Sequence, residues 1–213
     1  MEQREIRFAW DIAQLELLPV ETGKVLLYGS SFFAVWGVER AKKQWSDATS
    51  GALQVVNHGF GGARVDEMIH YYHRMVTPYA PSAIVFRTGV NDIFHGMSAE
   101  ETMAETQTLF SMARQDFPHI KFLVILVFDT LSANQAQMNE LRKYNRLLED
   151  YAKAHENIAV IDLNPFFYKE ETDIGTCQNF QDVFQSDMLH LTDEGYVRMA
   201  DYLAPMVQKL LLG

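Results

Sequence analysis

Two serines follow the first apolar stretch of the chain, where a strand would give way to a helix. The stretch runs from Val25 to Tyr28, Gly29 ends it, and Ser30 and Ser31 come next. A hydroxyl at the start of a helix faces backbone N–H groups without helical partners, which suits a nucleophile whose product is an oxyanion. The alternative is that these serines only cap the helix, which is a common use of serine.

A second group that can carry chemistry lies near the end of the sequence, where Asp187 precedes His190 by three residues. In ester hydrolysis a histidine takes the proton of the nucleophile through one ring nitrogen. A carboxylate accepts a hydrogen bond from the other nitrogen and fixes the tautomer. Three residues of separation let both side chains lie on one side of a tight turn before a helix that opens at Thr192. The pair therefore predicts a general base and its orienting group.

Candidate donors for an oxyanion lie in two further loops. Gly62 can offer its backbone N–H to a substrate because it has no Cβ to block the approach. The side-chain amide of Asn91 offers a second donor, and the N–H of Ser31 offers a third. These residues complete the set of nucleophile, base, orienting group and oxyanion donors that acyl transfer requires.

Five short apolar stretches alternate with helix-like stretches, which predicts buried parallel strands joined by helices. The predicted strands are 25–28, 53–56, 83–86, 121–128 and 158–161. The predicted helices cover about 31–45, 65–79, 98–117, 134–155 and 192–211, after a lead-in over 1–19 that packs on the domain. The pattern favours one α/β domain over 1–213: a three-layer α/β/α sandwich around a five-stranded parallel sheet in the flavodoxin-like order 2-1-3-4-5. The loops after the first three strands meet at one edge of such a sheet, where ligands bind.

With these residues at one edge, the chain resembles the SGNH hydrolases, also called GDSL-type esterases. That family is named for a Ser, a Gly, an Asn and a His in four separate blocks. The corresponding blocks of this sequence, in order, are Tyr28–Ser31, Asn57–Gly62, Gly89–Asp92 and Asp187–His190. The second and third blocks resemble the subgroup related to platelet-activating-factor acetylhydrolases. The resemblance covers nearly the whole predicted domain.

The resemblance implies a serine esterase or acylhydrolase that works through a covalent acyl-enzyme, without a metal or cofactor. It implies Ser31 as the nucleophile, His190 as base and then acid, and Asp187 as the orienting group, with an oxyanion hole formed by Ser31, Gly62 and Asn91. Three positions depart from the family's pattern. Ser30 stands where Asp is usual, Met188 stands where Gly is more usual, and Leu191 stands where Pro is common. None of these departures removes a group that the chemistry needs.

The subgroup resemblance, together with bulky residues beside the site, implies a small-molecule ester substrate with a short acyl group such as acetyl. The residues expected to contact it are Ser30, Phe32, Phe60, His95 and Met188. A thioester, a lysophospholipid or an O-acetyl group on a carbohydrate would use the same site. The rival from another class is a binding module on a flavodoxin-like sheet, which would have no need for an Asp-x-x-His pair in register with a serine.

Composition narrows the partners and the compartment. The net charge of −10 and a pI of about 5.1 disfavour nucleic acid and anionic membranes, which both require a positive surface. The one cysteine, Cys177, cannot form an intrachain disulfide and fits a reducing compartment. No apolar run of signal-peptide or membrane-spanning length follows the charged N-terminus, so a soluble, cytoplasmic protein is expected. His70 and His73 have helical spacing but lack a third metal ligand.

Two further features have open interpretations. Arg87 ends a strand predicted to be buried, so it needs a partner, either an ion pair with Asp92 or Asp129 or a substrate carboxylate. The segment 164–186 is loop-rich and carries several aromatic residues, which either pack in the core or form a lid at the active edge.

Overall fold

The computed structural model describes residues 7–167 and 183–212. Its centre is a five-stranded, all-parallel sheet with the strand order β2-β1-β3-β4-β5. The strands are β1 (Val25–Gly29), β2 (Val55–Gly59), β3 (Ala83–Arg87), β4 (Lys121–Ile125) and β5 (Ile158–Ile161). The predicted order is confirmed, and the strand order reverses beside β1, where open parallel sheets bind ligands.

Helices cover both faces of the sheet. They are α1 (Ala9–Leu15), α2 (Ser31–Trp36), α3 (Val38–Ala48), α4 (Val65–Met75), α5 (Val90–Phe94), α6 (Ala99–Asp116), α7 (Gln135–Lys153), α8 (Asn164–Phe167) and α9 (Asp193–Leu212), with a 3₁₀ turn at Thr77–Tyr79. One apolar core lies between the sheet and α4, α6 and α7, and a second lies between the sheet and α2, α3 and α9. Alternate side chains of β1 enter opposite cores, which is why its run is apolar throughout. The predicted three-layer sandwich is confirmed.

The strand β2 differs most from its prediction, since it begins two residues later and extends through Asn57 and His58 to Gly59. These two polar side chains are buried and bond to backbone oxygens, although Nε2 of His58 has no hydrogen-bond partner among the described residues. Asn57 Nδ2 lies 2.9 Å from the oxygen of Phe33, and His58 Nδ1 lies 2.7 Å from the oxygen of Met75. A strand that contains two adjacent polar residues cannot be recognised as a run of apolar residues. In the folded chain, their hydrogen-bond partners are ordinary backbone groups.

The helix predicted over 31–45 is divided at Gly37, which adopts φ 76° and ψ 154°. A positive φ with an extended ψ is open to glycine and ends α2 after six residues. The side-chain amide of Asn57 donates to two carbonyl oxygens that flank this break, those of Phe33 and Gly37. As a result α2 is a short helix fixed directly above the ends of β1 and β2.

Candidate active site

Ser31 is the first residue of α2, directly after β1, as the sequence predicts. Ser30 holds the position before it, but its side chain makes no capping bond. Two glycines allow α2 to lie this close to the sheet. A Cβ on Gly29 would lie 2.8 Å from Cδ2 of Phe33 in α2, and one on Gly59 would lie 2.4 Å from the nitrogen of Ala34 in the same helix. Ser31 therefore stands at the carboxyl edge of the sheet on a tightly packed support.

His190 joins Ser31 to Asp187 in a continuous chain of hydrogen bonds. His190 Nε2 lies 2.7 Å from Ser31 Oγ, and His190 Nδ1 lies 2.6 Å from Asp187 Oδ2. Asp187 Oδ1 accepts the backbone N–H groups of Leu189 and His190 at 3.0 and 2.9 Å. Partial burial acts to raise the pKa of Asp187, but these hydrogen bonds outweigh it and lower the pKa below its ordinary value. The structure thus brings together three residues that are 159 positions apart at the extremes.

The loop between β4 and α7 braces this turn, a feature that sequence reasoning missed. Thr130 Oγ1 donates to the carbonyl oxygen of Met188 at 2.6 Å, and Ser132 Oγ donates to that of Asp187. Met188 adopts φ 57°, in the left-handed region that favours glycine. The resemblance had pointed to this position as one where Gly is more usual. No sequence signal distinguishes Thr130 and Ser132 from other loop residues with hydroxyl groups.

The loop that holds Gly62 and the helix that holds Asn91 are bonded to each other. Asn91 Nδ2 donates one of its two hydrogens to the carbonyl oxygen of Ala63 at 2.9 Å. The amide nitrogen carries a second hydrogen, which this bond does not use. Gly62 has φ 79°. The buried Asp92 accepts the N–H of Val65 through Oδ1 at 2.9 Å, which ties the start of α4 to α5. Burial raises the pKa of Asp92 to about 6.

The residues expected to contact substrate have different surroundings. His95 is exposed, and its Nδ1 lies 2.6 Å from the oxygen of Asn91. Met188 is partly buried against the second core, and Ser30 is buried. The rings of Phe32 and Phe60 are buried in the two cores. Core packing accounts for both rings, and their contact with a substrate stays a prediction.

Arg87 is buried, but the predicted ion pair with Asp92 or Asp129 is wrong. Asp129 pairs with Arg142, and Asp92 accepts from Val65. The Arg87 guanidinium carbon instead lies 4.0 Å from the ring centroid of Phe32 and 4.7 Å from that of Phe128. Burial lowers the pKa of Arg87 to about 9. Aromatic faces replace the carboxylate because two phenylalanines from distant segments meet at the end of β3, which no local pattern reveals.

The aromatic segment before Asp187 is only partly described. Phe167 and Phe184 are buried and their rings pack against that of Phe128, so they belong to the second core. Tyr168, Phe180 and Cys177 lie outside the described residues. Within 7–167 and 183–212, no three His, Cys, Asp or Glu residues are grouped to hold a metal ion. No helix in those ranges is long and apolar enough to cross a membrane.

Comparison with known proteins places these features in a family. Residues 27–198 match the model of the GDSL-like Lipase/Acylhydrolase family. A Streptococcus pneumonia protein described as a candidate platelet activating factor has a similar fold, with a TM-score of 0.73 and 15% identity over 93% of this chain and 90% of that one. A lipase/acylhydrolase from Enterococcus faecalis has a TM-score of 0.69 and 16% identity over 88% and 96% of the two chains.

The curated relatives are much longer proteins. The N-acylneuraminate cytidylyltransferase of Streptococcus agalactiae is 27% identical over 172 residues, or 79% of this chain and 39% of that protein. The chain therefore spans about two fifths of the length of the curated relatives it matches. Since the family model covers more than half of the sequence and contains all four blocks, the chain belongs to the GDSL-like lipase/acylhydrolase family and is a hydrolase.

Proposed function

We propose that this hydrolase is a serine esterase in which Ser31 forms a covalent acyl-enzyme with a carboxylic ester. The observation that carries the proposal is the unbroken sequence of two hydrogen bonds, from Ser31 Oγ to His190 Nε2 and from His190 Nδ1 to Asp187 Oδ2. A nucleophile, a base and an orienting carboxylate in this order constitute the machinery of acyl transfer. A non-catalytic binding module would have no use for this alignment.

In the first half of the reaction, Ser31 Oγ bonds to the carbonyl carbon while His190 Nε2 takes the hydroxyl proton. The carbonyl oxygen becomes an oxyanion, and in this proposal the N–H groups of Ser31 and Gly62 and the amide of Asn91 are its donors. The bond to the alcohol oxygen then breaks, and His190 returns its proton to that oxygen. Asp187 holds the imidazole in the tautomer that leaves Nε2 free to accept.

In the second half, a water molecule attacks the acyl carbon as His190 takes one of its protons. The bond to Ser31 Oγ breaks, Oγ regains a proton from His190, and the carboxylic acid leaves. The same residues act in reverse order, so neither a metal nor a cofactor is required by this route.

A short acyl group such as acetyl is the proposed substrate side. This part rests on the subgroup resemblance and on the bulk of Met188 in the turn beside His190. The cytoplasmic location, and a single domain over 1–213, remain proposals from composition and pattern.

A carbohydrate O-acetyl ester is the second candidate substrate. It is favoured by the curated relatives, whose printed name places an N-acylated sugar acid among their substrates. Hydrolysis of an O-acetylated N-acylneuraminate well above that of p-nitrophenyl acetate would favour this candidate. Thioesters and lysophospholipids serve as the comparison substrates.

The decisive experiment compares Ser31→Ala and Ser30→Ala on p-nitrophenyl esters from acetate to octanoate. The two serines are adjacent, so the second variant is a matched control for the loss of a hydroxyl. We expect Ser31→Ala to reduce hydrolysis to background, whereas Ser30→Ala, which loses at most a substrate contact, should keep measurable turnover, with activity falling as the acyl chain lengthens. A fluorophosphonate adduct on the peptide that contains Ser31 would identify the nucleophile directly. Full activity in Ser31→Ala would disprove the proposal.

A further inference from the structure

Arg7 connects the N-terminal segment to the loop that carries Gly62. Its guanidinium forms a bidentate pair with Glu67, with Nε 2.8 Å from Oε1 and Nη2 2.9 Å from Oε2. The same Nη2 donates to the carbonyl oxygen of Gly62 at 3.0 Å. The Glu67 side chain is fully buried, whereas 39% of the Arg7 side chain is exposed. The carboxylate thus fixes the guanidinium, and the guanidinium holds the loop.

This loop needs an anchor because two adjacent glycines form its tip. No atom of the described residues lies within 4 Å of the place that a Cβ on Gly61 or Gly62 would occupy. Glycine also has the widest choice of backbone conformations, so packing alone restrains this tip weakly. On its far side the loop is held by Asn91, which donates to the oxygen of Ala63. Arg7 holds the near side, at Gly62 itself.

We propose that Arg7 is a positioning residue for the oxyanion hole. By binding the Gly62 carbonyl it fixes the peptide plane between Gly62 and Ala63, which limits the rotation at Gly62 that would turn its N–H away from the oxyanion. The inference rests on the proposed function, in which that N–H stabilises the oxyanion. Arg7 touches no reacting atom. A donor helps the transition state only when it is already oriented, so losing Arg7 slows the chemical step more than it weakens substrate binding.

Other contacts hold the backbone around Arg7 in place independently of its side chain. The hydroxyl of Tyr71 donates to the carbonyl oxygen of Arg7 at 2.7 Å. The next residue, Phe8, packs its ring edge against that of Phe60 with centroids 5.4 Å apart. Truncation of the Arg7 side chain is therefore expected to leave the segment docked, which makes the proposal testable by mutation.

The chain contains a matched control at the other end of α4. Arg74 forms a bidentate pair with Glu16, with nitrogen–oxygen distances of 2.7 and 2.6 Å. This pair also joins the N-terminal segment to α4, but it lies in the last turn of the helix, and both side chains are exposed. The two pairs differ in two ways: Glu67 is fully buried whereas Glu16 is exposed, and Arg7 also reaches the glycine loop.

The experiment measures kcat and KM for p-nitrophenyl acetate and the Tm of Arg7→Ala, Arg7→Lys and Arg74→Ala, with Ser31→Ala as the inactive reference. We expect Arg7→Ala to lose about 10- to 100-fold in kcat, with KM within about twofold of the wild-type value. Arg7→Lys should recover little, because an ammonium cannot reproduce the planar fork. Arg74→Ala should keep the wild-type kcat. A low, non-denaturing concentration of guanidinium chloride should restore turnover in Arg7→Ala, where an equal concentration of sodium chloride should not.

The outcomes separate this inference from the proposed function. An inactive Ser31→Ala with kcat of Arg7→Ala within twofold of wild type would overturn the role of Arg7 and leave the esterase proposal standing. Equal losses of kcat and Tm in Arg7→Ala and Arg74→Ala, without rescue, would also overturn it, since general weakening would then explain both. Activity in Ser31→Ala would instead overturn the esterase proposal itself. If Arg7→Ala fails to fold, Arg7→Lys decides by the same criteria.

Discussion

The two halves of the candidate site are held by different kinds of structure. Ser31, Gly62 and Asn91 follow directly after β1, β2 and β3, so the buried sheet determines where they lie. Asp187 and His190 belong to a turn before α9, which is held by side chains of the loop after β4. The difference shows how one site combines a rigid nucleophile side, built from backbone packing, with a base side built from individual hydrogen bonds.

This comparison predicts that substitutions on the nucleophile side destabilise the fold through steric clashes. Gly59→Ala should have the largest effect on folding, because its Cβ would lie 2.4 Å from a backbone nitrogen of α2. We expect the free energy of unfolding to fall by about 3 kcal/mol or more, as measured by urea denaturation. Gly61→Ala, in the same loop, is the control, since its Cβ meets no atom of the described residues within 4 Å. Equal stability of the two variants would contradict the idea that close packing of α2 fixes Ser31.

The same contrast explains what could be predicted from the sequence. The strand order and the edge carrying Ser31, Gly62 and Asn91 follow from apolar runs and small residues that are local in the chain. The two-helix division at Gly37, the buried pair Asn57 and His58, and the packing of the Arg87 guanidinium on two phenylalanine rings depend on partners from other elements. The braces from Thr130 and Ser132 span 58 and 55 positions, so no window of sequence contains them.

The nucleophile side also contains two buried groups whose responses to acid oppose each other. Burial lowers the pKa of His58 to about 4, although the hydrogen bond to the oxygen of Met75 acts to raise it. Burial raises the pKa of Asp92 to about 6. As the pH falls below about 6.5, the ordinary pKa of histidine, the unfolded chain binds a proton at His58 before the folded chain does. The contribution of His58 to the free energy of unfolding therefore decreases as the pH falls. Below about pH 6 the folded chain binds a proton at Asp92 first, so that contribution rises.

Single substitutions at His58 and Asp92 should therefore reveal two pH dependences of stability that oppose each other in the wild type. Between pH 7 and 5, we expect His58 to remove about 2 kcal/mol of stability and Asp92 to return about 1 kcal/mol. Relative to wild type, Asp92→Asn should lose stability more steeply on acidification, and His58→Gln should lose it less. Urea denaturation at each pH measures both. Because the pKa of Asp187 is lowered, protonation of this carboxyl group affects stability only at pH values below the range from 7 to 5. Parallel curves for all three proteins would refute the assignment.

The base side should fail through loss of single hydrogen bonds. Thr130→Val preserves shape but removes the donor to Met188, so we expect stability to fall by about 1–2 kcal/mol. Turnover should fall about 10-fold, because the turn that aims His190 loses a brace. Thr106→Val is the control: this buried threonine bonds the oxygen of Thr102 in α6 and the hydroxyl of Tyr144 in α7, neither of which belongs to the turn that holds His190. If both variants lose similar stability but only Thr130→Val loses turnover, the brace acts through the turn that aims His190. Equal kcat values in the two variants would contradict this role.

The smallest expected effect concerns the conformation of Met188 in the same turn. A non-glycine residue at φ 57° bears about 1 kcal/mol of backbone strain, which glycine would relieve. Met188→Gly and Met188→Ala both remove the side chain, so their difference isolates the backbone. In ordinary right-handed positions alanine is the more stable of the two, since glycine adds freedom to the unfolded chain. Here we expect the glycine variant to be more stable by up to about 1 kcal/mol in urea denaturation. The opposite order would mean that the turn does not need its left-handed residue, and that the two hydroxyl braces alone determine where His190 points.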